Sequence, residues 1–443
     1  MTLDTHADEL IDVQALRIGM FVRLDGGWMS HPFPISNFKL TTTDQLATLR
    51  SLGVKQVRWD RSLSDAAADS GPDAAASAGI AARPTDLFTA AHRPALDAAF
   101  GLDLDAEPPP SEGELTAQRL ARQRASLQHC ERQFNEATSA YKQAAGLIAS
   151  EPQQAKKQLE KLSNDLLDKM LVEQDLCIRL LRDTAGGKAS THTLNVSIIS
   201  LLLGRNFGLS ESELKDVGMG ALLHDVGKID VPERLRCFDE RFSPAEVKAY
   251  QEHVVFGLAR GQKMGLSAGV MQVIAQHHEM ADGSGFPLKI GSERMSDAAR
   301  IVAMVNAYDT LCNPQFSARA VTPHQALALM FTQGKKRFDT ALLGAFIKMM
   351  GVYPAGSTVQ LTDERFAVVV SVNSARPLKP RVLVHDPKVP REDALIVDIG
   401  EEPGLGIRRS IKPEQLPTAT LHYLAPRQRV VYYFEPAHRA ESA

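Results

Sequence analysis

The chain has 443 residues, room for more than one domain, and its 44% hydrophobic and 23% charged content is that of ordinary globular protein. A net charge of −3 supplies no basic field for duplex nucleic acid, so any phosphate ligand must be held by a local site. No basic-then-apolar leader and no uninterrupted apolar run of about eighteen residues occurs, so the expectation is a cytoplasmic protein without a membrane span.

Residues 1–63 read as a small β-rich N-terminal domain. Val13, Leu16, Ile18, Met20 and Val22 fall near alternation, a short helix carries Leu46, Leu49 and Leu52, and a strand runs from Lys55 to Trp59. Residues 64–110 are rich in Ala, Asp, Pro and Gly, include Pro108, Pro109 and Pro110, and read as a flexible linker. Residues 111–185 are poor in Gly and rich in Gln, Glu, Lys, Leu and Ala. They predict two long helices divided at Pro152, which could pack as a hairpin or pair two copies of the chain as a homodimer.

Residues 186–350 predict an all-α core of successive helices. Their starts are marked by Ser210 with Glu213, Ser243-Pro244 with Glu246, and Thr322-Pro323 with Gln325. Residues 351–443 change to a β pattern, with Val359, Leu361, the run from Ala367 to Val372, and Val382 to Val384. The fold class expected is multidomain α+β, a helical core flanked by small β-rich segments. Cys130, Cys177, Cys237 and Cys312 form no CxxC pair, which fits reduced thiols rather than a disulfide frame or zinc ribbon.

Five of the thirteen histidines, His192, His224, His253, His277 and His278, lie within one ninety-residue window of the helical core, with Asp225 directly after His224. Neutral imidazoles bind borderline transition metals and a carboxylate can bridge two ions, so the set suits a binuclear Fe, Mn or Zn centre. Helix ends are predicted at His224-Asp225, before Gly227, and at His277-His278, before the Gly283–Gly285 loop. Adjacent side chains can converge there, whereas mid-helix neighbours diverge by about 100°. Isolated His324, His385, His422 and His438 are read as ordinary structural histidines, and Lys228 alone would be a cation complementing a helix C-terminus.

The segments THTLNVS, ALLHDVGKIDVP, EHVVFG, HHEMADGSGFP and ARIVAMVNAYDTL, in that order across residues 186–350, resemble the HD-GYP family, bacterial HD phosphohydrolases that hydrolyse cyclic di-GMP. IGMFVRLDGGWMSHPF resembles the small domain of unknown function that often precedes such domains, which implies a regulatory role or a protein partner by association only. The resemblance implies His192, His224, Asp225, His253, His277, His278 and Asn306 as ligands of two divalent ions. Asp225 and Lys228 would be the catalytic side chains, with Lys228 stabilising phosphate charge. The loop residues Asp282, Gly283, Gly285, Phe286 and Pro287 would shape the substrate pocket with Lys228, and Glu279 would support the loop.

Four departures bear on that reading. Phe286 stands where the family usually has Tyr, which keeps the ring and removes a hydroxyl. Lys188 replaces the Glu that contributes a third metal site in some members, so two ions are expected. Asn306 replaces the usual Asp ligand, with Asp309 one turn further on as a carboxylate that could compensate. The family's RxY-type phosphate contact is absent, leaving Arg319 as the candidate substitute. The leading expectation is a two-metal phosphodiesterase converting cyclic di-GMP to pGpG or GMP. Its rivals are a binding module that has lost turnover and a phosphohydrolase for another nucleotide.

Overall fold

The computed structural model describes residues 9–24, 37–41, 43–51, 55–65, 111–172, 175–182, 187–427 and 429–437. The linker expected over 64–110 therefore falls outside the described residues from position 66 onward, as does His438.

The N-terminal unit is a four-stranded antiparallel sheet of β1 (Glu9–Asp12), β2 (Phe21–Arg23), β3 (Asn37–Lys39) and β4 (Gln56–Asp60), in the order β1-β4-β2-β3, with helix α1 (Thr43–Ser51). Val22, Leu40, Leu49, Val57 and Trp59 are buried in it. The predicted helix and last strand are found, but residues Val13–Ala15 form a single 3₁₀ turn rather than strand. Asp12 caps that turn through Gln14 N at 2.8 Å, and Ile18 remains 49% exposed.

The second unit begins within α2 (Glu112–Leu147), and α3 (Pro152–Val172) follows with Pro152 at its first position, where a missing N–H costs nothing. The apolar face of α3, Leu159, Leu162, Leu166, Leu167 and Met170, packs within this chain on helices that follow. These are α4 (Lys188–Phe207), α5 (Glu211–Leu223), α6 (Pro244–Gln251), α7 (His253–Met264), α8 (Ala268–Gln276), α9 (Asp297–Cys312), α10 (Pro323–Thr332) and α11 (Thr340–Met350). All three predicted starts are capping boxes: Ser210, Ser243 and Thr322 each accept an N–H three residues on, and Glu213, Glu246 and Gln325 reciprocate. Helix α4 is central, buried almost continuously from Ser190 to Gly204.

One difference from the sequence reading matters for the site. Within the region expected to be helical, Leu176–Leu180 is a strand, β5, entirely buried. It lies between β7 (Phe366–Asn373) and β11 (Tyr432–Pro436) in a seven-stranded sheet that also contains β6 (Thr358–Leu361), β8 (Arg381–Val384), β9 (Ile396–Asp398) and β10 (Ile407–Ser410). A five-residue strand buried on both faces shows no alternation, so periodicity could not separate it from the helices before it. A short helix, α12 (Thr418–Leu424), precedes β11. The C-terminal strands share one apolar core with the helices, running from Phe134 on α2 through Leu201 and Val302 to Tyr432 and Tyr433.

Candidate metal centre

His224 is the residue at which α5 stops, Asp225 follows it, and a 3₁₀ turn over Val226–Asp230 brings Lys228 back beside Asp225. The turn lies against α7, so close that a Cβ on Gly227 would sit 1.9 Å from the His253 carbonyl oxygen; only glycine fits. His253 is the first residue of α7, His277 caps the end of α8, and His192 lies in the first turn and a half of α4. Four helix ends and their turns thus converge on one carboxylate.

Four of the imidazoles are held in one tautomer. His224, His253 and His277 place Nδ1 at 2.7, 2.6 and 2.9 Å from the carbonyl oxygens of Ala221, Tyr250 and Ile274. A carbonyl can only accept, so each Nδ1 carries the proton and each Nε2 presents a bare lone pair. His192 Nδ1 faces Asp309 Oδ2 at 2.6 Å with the same consequence. The lone pairs meet head-on, His192 Nε2 to His224 Nε2 at 3.3 Å and His253 Nε2 to His277 Nε2 at 3.3 Å. Two acceptors at that distance repel unless a cation lies between them. Around Asp225, Oδ2 is 3.4 Å from His224 Nε2 and 3.9 Å from His192 Nε2, while Oδ1 is 3.7 Å from both His253 and His277 Nε2. Asp225 Oδ1 and His278 Nε2 are buried without a hydrogen-bond partner. The donor chemistry fits divalent transition metals, in two groups that share Asp225: His192, His224 and Asp225, and Asp225, His253, His277 and His278.

Electrostatics agree with that fit. Burial would raise the Asp225 carboxyl, but Lys228, with Nζ 2.6 Å from Oδ2, and His224 hold it well below the usual carboxylate range. Burial lowers His253 to about 4, lowers His277, and pushes His278 well below its ordinary value, so these rings stay neutral and ligand-ready.

A cavity of about 1160 Å³ opens over this centre, lined by His192, Asp225, Lys228, His277, His278 and Asn306. The rest of its wall includes Tyr250, Gly285, Phe286, Phe238, Phe316 and Arg319. Phe286 stacks on His278 with ring centroids 4.4 Å apart, and Lys228 Nζ lies 5.6 Å over the Tyr250 ring. Glu279, fully buried, supports the loop as expected, accepting the backbone N–H groups of Leu288, Lys289 and Ile290 at 2.6, 3.2 and 3.1 Å.

Some expected residues are placed elsewhere. Asp282, Gly283 and Pro287 do not line the cavity; the Asp282 carboxylate accepts from Ser284 N, closing a local turn at the surface. Asp309 is no substitute ligand, because Oδ2 takes His192 Nδ1 and Oδ1 takes two side-chain amides. Lys188 donates to the Gln315 carbonyl oxygen at 3.1 Å. The wall residues Tyr250, Phe238 and Phe316 were not foreseen, since an aromatic in a helical sequence carries no mark of which cavity it faces.

Residues 142–342 match the HD domain family, and residues 9–159 match a domain of unknown function (DUF3391). The helical core that carries the histidines is thus the part of the chain that is similar to HD domains. The chain is 28% identical over 382 residues to the cyclic di-GMP phosphodiesterase PA4108 of Pseudomonas aeruginosa, covering 84% of each. It is 29% identical over 181 residues to the cyclic di-GMP phosphodiesterase response regulator RpfG of Xanthomonas campestris, covering 40% of this chain and 48% of the relative. The 3′3′-cGAMP-specific phosphodiesterase 2 of Vibrio cholerae is 26% identical over 158 residues, 35% of this chain and 30% of the relative. Among the described residues no helix is long and apolar enough to cross a membrane.

Proposed function

We propose that the chain is a metal-dependent phosphodiesterase that opens the phosphodiester ring of cyclic di-GMP, giving linear pGpG and, after a second cut, GMP. The observation that carries the reading is the sharing of Asp225 between two imidazole groups at the base of one cavity. Two divalent ions such as Fe or Mn, held by His192, His224, Asp225, His253, His277 and His278 with Asn306 beside them, would supply Lewis acidity and lower the pKa of water toward neutrality.

The protein's own side chains do the rest. His192, His224, His253 and His277 are each fixed by an Nδ1 hydrogen bond, so these four ligands need no reorganisation. Lys228 keeps its cation at the cavity wall beside Asp225, where it can face a phosphate oxygen as charge develops. Phe238, Tyr250, Phe286 and Phe316 offer faces on which guanine bases can stack, and Arg319 offers a second cation. The volume lies above the roughly 300–1,000 Å³ of ordinary small-molecule pockets, which leaves room for a cyclic dinucleotide. The reading places the enzyme in the cytoplasm and gives the N-terminal unit a regulatory or partner-binding role.

Another cyclic dinucleotide as substrate is the second reading, favoured by the likeness to a 3′3′-cGAMP-specific enzyme. Full-length protein reconstituted with Mn²⁺ or Fe²⁺ is incubated with cyclic di-GMP and, separately, with 3′3′-cGAMP, and products are separated by chromatography. Release of pGpG, stopped by a chelator, is expected. Faster cleavage of 3′3′-cGAMP would move the assignment to the second reading, and cleavage of neither would end both.

A further inference from the structure

Behind His192 lies a hydrogen-bonded chain that leaves the helical core and ends on the C-terminal strand. Asp309 Oδ2 accepts from His192 Nδ1 at 2.6 Å, and Asp309 Oδ1 accepts from the amides of Asn195 at 2.8 Å and Asn313 at 2.9 Å. Both asparagines use their remaining capacity on the backbone entering β11. Asn195 donates to the Val430 carbonyl oxygen at 2.9 Å and accepts from Tyr432 N at 3.0 Å. Asn313 donates to the same Val430 oxygen at 2.9 Å and accepts from Val430 N at 2.9 Å. Both N–H donors and the oxygen of each amide are thereby engaged, so neither can turn without breaking three hydrogen bonds.

We infer that Asn195 and Asn313 are positioning residues of the metal centre, which make the backbone at Val430–Tyr432 part of the outer shell that orients His192. The inference rests on the metal-centre reading above. The Nδ1 atoms of His224, His253 and His277 are each fixed by the carbonyl of a residue three positions earlier, so their orientation is local to one helix end. His192 alone depends on residues more than a hundred positions away, first Asp309 and then, through Asn195 and Asn313, the strand that closes the chain. A carboxylate on the far nitrogen fixes the tautomer and makes the near nitrogen a better donor, and loss of such a partner typically costs about 10–100-fold in metal affinity. Asn313 also ends α9, its N–H donating to the Asp309 carbonyl oxygen at 2.7 Å, so it holds both the backbone and the carboxylate of Asp309.

The test is Mn²⁺ titration of the full-length metal-free protein, by calorimetry and chelator competition, for the parent, Asn313→Ala, Asp309→Ala and the double variant. Asn313 is only half-buried, so its truncation leaves the fold in place, which the melting temperature of the metal-free protein checks. Asn313→Ala is expected to weaken one bound Mn²⁺ by about tenfold and to add nothing in the Asp309→Ala background, because it acts through Asp309. A merely structural asparagine would weaken binding equally in both backgrounds, and that result, or no weakening in the parent, overturns the inference. A second readout needs no metal: in protein labelled with ¹⁵N-histidine, the His192 Nδ1–H resonance should be present in the parent and broadened or shifted in Asn313→Ala. An unchanged His192 resonance overturns the network, whereas a parent that binds no Mn²⁺ overturns the metal-centre reading and leaves this resonance to decide whether the asparagines orient the ring.

Discussion

The two candidate ligand groups that meet at Asp225 are built differently. His253 and His277 are fully buried and braced by main-chain carbonyls, and His278 is wedged against Phe286. His192 is partly exposed, with 22% of its side chain open, and is braced by a carboxylate rather than by backbone. Backbone braces cannot be lost by substitution, whereas a carboxylate brace can be mutated and is itself held by other side chains. The three-histidine group is therefore the rigid half of the centre, and the His192 group is the half that remote parts of the chain can weaken.

The largest expected effect removes what the halves share. Asp225→Ala should abolish binding of both ions and lower hydrolysis of cyclic di-GMP by at least about 10³-fold, the scale of several kcal/mol that Lewis-acid stabilisation supplies. Metal analysis and product chromatography on the same preparation check it, and near-parental turnover would refute a bridging role. Breaking one half at a time comes next. His192→Ala should retain one ion per chain in the three-histidine group, while His253→Ala should retain its ion, less tightly, between His192 and His224. Complete loss of metal in His192→Ala would mean that the rigid half does not stand alone.

Much of this was legible beforehand. The histidine positions, the helix ends that let His224 and Asp225 converge, and the three capping boxes could all be read from residues a few positions apart. What stayed hidden depended on long-range pairing. Leu176–Leu180 pairs with Tyr432–Pro436, about 250 residues away, and no local pattern marks that register. Asp309 sits three residues after Asn306, which made a spare ligand of it on helical spacing alone; only its three partners show that it braces His192. Asp282 looked like pocket chemistry because of the loop it belongs to, and proves to serve the turn.

Acid should destabilise the metal-free protein through its three-histidine group. His253 is depressed by burial from 6.5 to about 4, and His277 and His278 are lowered for the same reason. Between those values the unfolded chain binds protons that the native state refuses, so stability present above about pH 6.5 is lost as pH falls toward 4. Bound ions occupy the same lone pairs and oppose this loss. Melting temperatures measured from pH 7.5 to 4.5 should fall more steeply in chelator-treated protein than in Mn²⁺-loaded protein at the upper end of that range. In metal-free His253→Phe the slope should shrink. Parallel slopes for parent and variant would show that the buried rings do not control acid stability.

The smallest expected effect concerns the position where an amide stands in for a carboxylate. Asn306 is buried on α9 and lines the cavity with His192 and Asp225. An amide oxygen is a neutral, weaker donor than a carboxylate, so Asn306→Asp should tighten Mn²⁺ binding by a few-fold up to about tenfold, the 1.4 kcal/mol scale of one modest charge interaction. The position of Asp309 changes what a companion experiment must show. If Asp309 were a spare ligand, Asn306→Asp would rescue Asp309→Ala. As the brace of His192 it is not replaceable from position 306, so the double variant should keep the loss of the Asp309→Ala single variant, offset only by the small gain of Asn306→Asp. Chelator competition on the four proteins reads this directly. Full rescue would return Asp309 to the metal, and no gain from Asn306→Asp in the parent would take Asn306 out of the ligand set and leave it as cavity wall.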